Sequence, residues 1–353
     1  MAGPRESQAL CVLPTSDLHA DIRFFTGSAG FELVAIWPSA DPHSAELHGH
    51  GLHLVIDRRH RADPPVIVIN TDEPPPETLT SPGGAVIRWQ AYREQAPQLI
   101  EKPCMEVCSL RSSEWTRGRA GTQTRDLIPS RLRGAMVATH IRIPNGGPVD
   151  DRVHYHNTGF QLVFCVRGWI KLAYEDQGDP ITLHPGDCVA QPPKIRHKVI
   201  ETSNGLEVIE ISVPAEHVTT IDHELKLPSS KVNTHRLFEG QRFCHHQVAS
   251  GKWQPHRLPG FASCDTGVSA ASAAKAGVKL LRAASKLPAY KAVHDADVLF
   301  SYVLAGSVRV NRQLMVAGDA FVVPPKDEIT LADWSDDLHV LEVSLPGTFR
   351  TYL

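Results

Sequence analysis

His154-Tyr155-His156, Gln161-Leu162-Val163-Phe164-Cys165-Val166 closing at Gly168, Gly186-Asp187, Pro192-Pro193, His197 and Leu206-Glu207-Val208-Ile209-Glu210-Ile211-Ser212-Val213-Pro214 form a pattern that the chain writes twice. The second copy runs from Ala292 to Pro346. It repeats the strand Ser301-Tyr302-Val303-Leu304-Ala305 before Gly306, then Gly318-Asp319, Pro324-Pro325 and Leu338-His339-Val340-Leu341-Glu342-Val343-Ser344-Leu345-Pro346. A repeat this long is two copies of one supersecondary unit. Short apolar runs divided by Gly, Pro, Asn and Asp predict a mainly β sandwich or barrel rather than βαβ units. The copies differ where chemistry resides. Copy one carries His154, His156, Gln161 and His197; the register puts Ala292, His294, Leu299 and Ile329 in those places.

Residues two apart on a strand face one side, so His154 and His156 aim two imidazoles at one point. Gln161 opens the next strand, and His197 arrives from a third after the turn at Pro192-Pro193. Three imidazoles and one oxygen donor can surround a divalent transition metal and leave coordination positions open. Copy two, with His294 alone among apolar residues, is expected to hold no metal, to be apolar at those positions, and to pack on copy one as a structural partner.

His154-Tyr155-His156, Gln161 and Gly168, followed by Gly186-Asp187, Pro192 and His197, resemble the two-part signature of the cupin superfamily. The C-terminal two thirds of the chain is similar to a bicupin. The resemblance implies two cupin-type β-barrels: barrel 1 over 121–222 and a degenerate barrel 2 over 261–353, joined through 223–260. In that family two histidines and a glutamate of the first motif, and one histidine of the second, bind a single metal. Here the glutamate is Gln161, a neutral donor. It either binds the metal as an oxygen ligand or hydrogen-bonds a water or substrate there. The site thereby resembles the three-histidine iron sites of gentisate, diketone and thiol dioxygenases. The expected cofactor is one divalent transition metal, iron first, with nickel, manganese, zinc or copper as alternatives.

Residues 1–72 are expected to form a small α+β module. Leu18–Phe25 reads as a short helix, and Phe31–Ile36 and Gly51–Ile56 read as strands. This stretch resembles one βαβββ module of the glyoxalase and extradiol dioxygenase (vicinal oxygen chelate) superfamily. Such modules work in pairs, so this one is expected to pack either against a second copy of the chain or against the rest of its own; the first is preferred, with a homodimer as the expected state. His48, His50 and His53 read as solvated residues of a glycine-rich hairpin. Residues 73–120 read as linker and connection, with Pro74-Pro75-Pro76 and Pro82-Gly83-Gly84. Val86–Arg93 fits either a strand or a helix start.

Softer site candidates surround the motif. Arg152 shares strand parity with His154 and could hold a substrate carboxylate or enolate. His140 could serve as general base or support the ligands. Cys165 has the parity of Gln161 and could line the substrate pocket, mainly filling space. Cys104 and Cys108, four apart, are a weak metal or redox pair.

The net charge of -3 gives no electrostatic footprint for nucleic acid, and no apolar run approaches a membrane span. The N-terminus shows no charged head before an apolar stretch, so a cytoplasmic protein with reduced cysteines is expected. The functional expectation is a metal-dependent, dioxygenase-like cupin acting on a small organic substrate. The alternatives are a metal-dependent isomerase or lyase, or a non-catalytic small-molecule binding or sensor bicupin.

Overall fold

The computed structural model describes residues 9–39, 41–75, 77–91, 105–118 and 121–353. The chain divides into two compact units, Met1–Glu94 and Gln95–Leu353. None of the described helices is long and apolar enough to cross a membrane.

In the first unit Asp17 accepts a hydrogen bond from the Ala20 N–H (3.0 Å) and starts the helix Leu18–Gly27. Strands Cys11–Pro14, Glu32–Trp37, Ser44–Gly49 and Leu52–Asp57 form one sheet with Cys11–Pro14 parallel to Leu52–Asp57. The element order is βαβββ, as the sequence suggests. The unit does not end at residue 72. Val66–Thr71 runs parallel to Val86–Ala91, with Leu79–Thr80 antiparallel beside it. Ile69 and Ile87 of this second sheet share one apolar cluster with Leu13, Phe25, Leu47 and Leu54. The Pro and Gly of 73–84 turn the chain inside the unit rather than link domains. The Gly83 N–H donates to buried Asp21 (3.0 Å), and Gly84 has φ +88°. Val86–Ala91 is thus a strand; Tyr92, Arg93 and Cys104 lie outside the described residues.

In the second unit each copy of the repeat forms two facing sheets. In copy one, strands Phe160–Arg167, Cys188–Gln191, Leu206–Val213 and Val137–Ile143 lie in one sheet. His154–His156 and His197–Thr202 lie in the other. Alternation then sorts the side chains. Val163, Cys165, Leu206 and Val208 fill the interior of barrel 1. Phe160, Leu162, Phe164 and Ile209, one residue out of step, pack against Val278, Phe300 and Val343 of copy two. The copies are therefore joined through a shared apolar layer.

The connecting segments are part of the barrels. Glu106–Cys108, ahead of copy one, pairs with Ala320–Val323 of copy two. Cys244–His246, ahead of copy two, pairs with Cys188–Gln191 of copy one. The copies exchange strands reciprocally, and this explains the repeated Gly-Asp. Asp187 accepts from the Val248 N–H (2.8 Å), and Asp319 accepts from the Leu110 N–H (2.8 Å). Gly186 and Gly318 have φ +92° and +93°. A Cβ on either would meet Val248 at 3.0 Å or Leu110 at 2.5 Å. The glycine admits the exchanged segment and the aspartate fastens it. The readings of 73–120 and 223–260 as plain connections miss these strands, because their partners are distant in sequence.

Barrel 2 carries Ala292, Leu299 and Ile329 buried at the ligand positions. Its interior is not apolar throughout. Glu342 is buried in a bidentate pair with Arg257 (2.7 and 2.6 Å), and His256 lies 3.7 Å from the same carboxylate. His294 is buried nearby, its ring against Phe349.

Candidate metal centre

Strand His154–His156 runs between His197–Thr202 and Thr219–Ile221. His154 lies directly across from His197, and His156 across from Thr219. The same register in copy two opposes Ala292 to Ile329 and His294 to Thr351, confirming the alignment of the repeats. The ligand atoms of His154, His156 and His197 all lie within 4.8 Å of one another. This is the only group of three or more His, Cys, Asp or Glu residues so arranged among the described residues.

Each imidazole is oriented through Nδ1. His154 Nδ1–H donates to the Arg152 carbonyl (2.7 Å), and His197 Nδ1–H donates to the Ile195 carbonyl (3.0 Å). His156 Nδ1 is engaged by Thr219 Oγ1 (2.9 Å). Nε2 of each ring is left for the point where the three converge, the arrangement that fixes a metal-ligating tautomer. Asp151 adds a carboxylate oxygen 3.6 Å from His154 Nδ1 while accepting from the Val199 N–H (2.8 Å). Burial, then His154 and His217, pushes His156 down to about 4. Burial and His154 push His197 down to about 3. Both rings are neutral at physiological pH, with lone pairs available to a cation.

Gln161 is buried at the barrel wall, where its Nε2 donates to Glu210 Oε1 (3.2 Å). Glu210 is a residue that the motif reading missed. Burial pushes its carboxyl up, opposed by the Gln161 hydrogen bond and by the nearby His217 and His154. The second missed residue is His217, whose ring stands perpendicular to His156 at 5.3 Å. Tyr174 stacks on His197 at 5.7 Å, and its hydroxyl accepts from Gln191 Nε2 (2.8 Å). Gln191 and Ser212 flank Gln161 in the sheet. Gln191 Oε1 and Ser212 Oγ are buried without a hydrogen-bond partner among the described residues. This polar wall has bonding capacity to offer a ligand.

The softer candidates fall elsewhere. The regular strand begins only at His154, so parity does not extend back to Arg152. The Arg152 side chain is exposed, and its contribution is the carbonyl that holds His154. His140 points away from barrel 1's interior, toward the layer between the copies. There it bonds Glu207 Oε2 (2.8 Å) and lies beside Arg125 and Tyr302. Cys165 is fully buried within the barrel. Burial and Asp187 push its thiol up to about 12, so it stays protonated and fills space. Cys108 bonds Ser113 and the Asp126 carbonyl. The His48 and His53 rings lie 4.4 Å apart and tilted by 40°, while His50 turns to the Ala29 carbonyl, so these three do not converge.

Residues 139–214 match the family model described as cupin domain. No curated protein matches the sequence. Among solved structures the chain is similar to Bacillus subtilis oxalate decarboxylase. A single-residue variant of that enzyme gives a TM-score of 0.52 at 13% identity, covering 72% of this chain and 80% of the other. The enzyme at pH 4.6 gives 0.52 at 13% identity, over 72% and 79%. A structure used to assign its Mn(II) centres gives 0.51 at 13% identity, over 72% and 80%. At this identity the likeness establishes the fold: mainly β, with a cupin-like architecture.

Proposed function

We propose that barrel 1 is a single-metal enzyme centre acting on a small, oxygen-rich organic molecule in a dioxygenase-like reaction. The observation that supports this most is the convergence of three imidazoles, each oriented through Nδ1, with an amide instead of a carboxylate at the motif's fourth position. His154, His156 and His197 fit a divalent transition metal, iron or manganese first. The bound metal would supply a Lewis-acidic and redox-active site with open positions. The chain's own residues do the positioning. Gln161 is drawn toward Glu210, which frees coordination space. Gln191 Oε1 and Ser212 Oγ offer hydrogen bonds to substrate oxygens. Tyr174 and Cys165 keep the barrel floor dry and neutral.

A second reading, a metal-dependent lyase or isomerase working without oxygen, is favoured by the likeness to a decarboxylase with Mn(II) centres. Oxygen consumption decides between them. Protein loaded separately with Fe(II) and Mn(II) is offered diketones, catechols, hydroxy acids, thiols and oxalate in an oxygen-electrode cell. The first reading expects substrate-dependent uptake abolished by His154→Ala. Turnover that persists at full rate under anaerobic conditions contradicts it and supports the second.

We read the N-terminal βαβββ unit as a glyoxalase-like half module that joins two copies of the chain. Its strand Glu32–Trp37 is exposed along its length, with Leu33, Val34, Ile36 and Trp37 all open to solvent. An apolar edge of this kind invites a partner strand.

A further inference from the structure

The two barrels place a glutamate at the same point of the repeat and treat it differently. Glu342 lies opposite Ser301, and Glu210 lies opposite Val163, at matching registers of the two copies. Both side chains are directed into their barrels. In barrel 2 the carboxylate is neutralised by Arg257, with both guanidinium nitrogens in contact. In barrel 1 no Lys or Arg among the described residues lies within ion-pair distance of Glu210. Among the described residues its hydrogen bond comes from the neutral Gln161 amide (3.2 Å). A carboxylate removed from water without a counter-cation is strongly unfavourable. Barrel 1 differs from barrel 2 in a second respect: three imidazoles converge in it. Glu210 lies outside that 4.8 Å group, but within reach of the field of His154 and hydrogen-bonded to Gln161 at the motif's fourth position.

We infer that Glu210 is the anionic group of the metal centre, taking over the charge that Gln161 lacks, with the metal in barrel 1 standing where Arg257 stands in barrel 2. This rests on the reading of barrel 1 as a metal centre. Glu210 lies on the strand next to that of Gln161, and Gln161 is the residue that orients it. Gln161 Nε2 occupies one oxygen of Glu210 and so directs the other. His217, whose ring stands against that of His156, contributes to the field around the same carboxylate. Glu210 is thereby a positioning and charge-balancing residue, whether its free oxygen meets the metal or a water bound to it.

The test is equilibrium binding of Mn(II) alone to the full-length chain by titration calorimetry, with apo-protein melting as a second readout. Glu210→Gln is expected to weaken Mn(II) binding about 10- to 100-fold. It should leave the melting temperature of the apo-protein unchanged or higher, since a buried charge without a cation is removed. The exchange variant Gln161→Glu/Glu210→Gln returns a carboxylate to the wall and is expected to regain most of the affinity. Wild-type affinity in Glu210→Gln, with binding lost in His154→Ala, overturns the role of Glu210 and leaves the metal centre standing. Wild-type affinity in both variants overturns the metal centre and the inference together. A Glu210→Gln protein that melts lower without metal, at wild-type affinity, marks Glu210 as structural and also overturns the inference.

Discussion

Replacing Arg257 with leucine leaves Glu342 buried without its cation, and the cost can be worked from the geometry. The Glu342 side chain is 5% exposed, the Arg257 side chain 20%. Breaking a buried ion pair from one side costs about 3–5 kcal/mol. The partial exposure of Arg257 puts this case at the lower end, about 3 kcal/mol. For a unit of this size that is a fall of about 6 to 12 °C in melting temperature. The pH dependence follows from the sign of the shift. Burial alone would raise the Glu342 carboxyl, but Arg257 and His256 outweigh it and hold the group well below its ordinary value of 4.5. The stabilisation from this pair is therefore fully present above 4.5 and is lost as the pH falls below that value. In Arg257→Leu burial is opposed by His256 alone, so the carboxyl rises from its wild-type position and the variant gains relative stability as acid protonates it. The gap between wild type and variant should be widest near neutral pH and narrow below pH 4.5. Replacing both residues with leucine should recover most of the loss. Thermal unfolding of the full chain across a pH series reads all three effects. A gap that stays constant from neutral to acid pH, or a double variant as unstable as the single one, would refute the assignment of an electrostatic role to this pair.

Three further outcomes follow from other contacts. Asp187→Ala and Asp319→Ala each strip acceptors from an exchanged segment, at about 1 kcal/mol per half-buried N–H left unpaired; hydrogen exchange should accelerate at Val248 in the first variant and at Leu110 in the second, and the reverse pairing would contradict the exchange. Gln161→Glu sets a second carboxylate against Glu210, so the apo-protein should melt lower at neutral pH and recover when Mn(II) is added; a variant whose melting does not respond to metal would place Gln161 away from the centre. Deleting residues 1–94 should convert a dimer to a monomer by light scattering while metal content persists; a truncated dimer would assign the association to the barrels.

The barrels were legible because two periodic signals coincide. Strand alternation in Leu162–Val166 and Ser301–Ala305 recurs with Gly-Asp and Pro-Pro at fixed offsets, and the ladders that oppose His154 to His197 and Ala292 to Ile329 follow that alignment. The three histidines were legible for the same reason. Arg152 was misplaced because parity was extended past a strand end; His140 lies on a true strand, but the sequence does not say which face of that strand meets the barrel interior. Glu210 and His217 lie outside the motif. A signal for Glu210 was present all the same: a glutamate at the same place in both copies, inside an apolar strand, has to be neutralised by something. The exchanged strands and the boundary at Glu94 depend on contacts between residues far apart in sequence, which local patterns do not encode.

A single centre in barrel 1 fixes both how many metals the chain binds and which side chains hold them. Elemental analysis of full-length protein, loaded with Mn(II) or Fe(II) and dialysed, should give one metal per chain for the wild type and for His294→Ala. It should give close to none for His154→Ala and His197→Ala. Two metals per chain that survive dialysis, or full occupancy after loss of His154, would contradict a single centre in barrel 1.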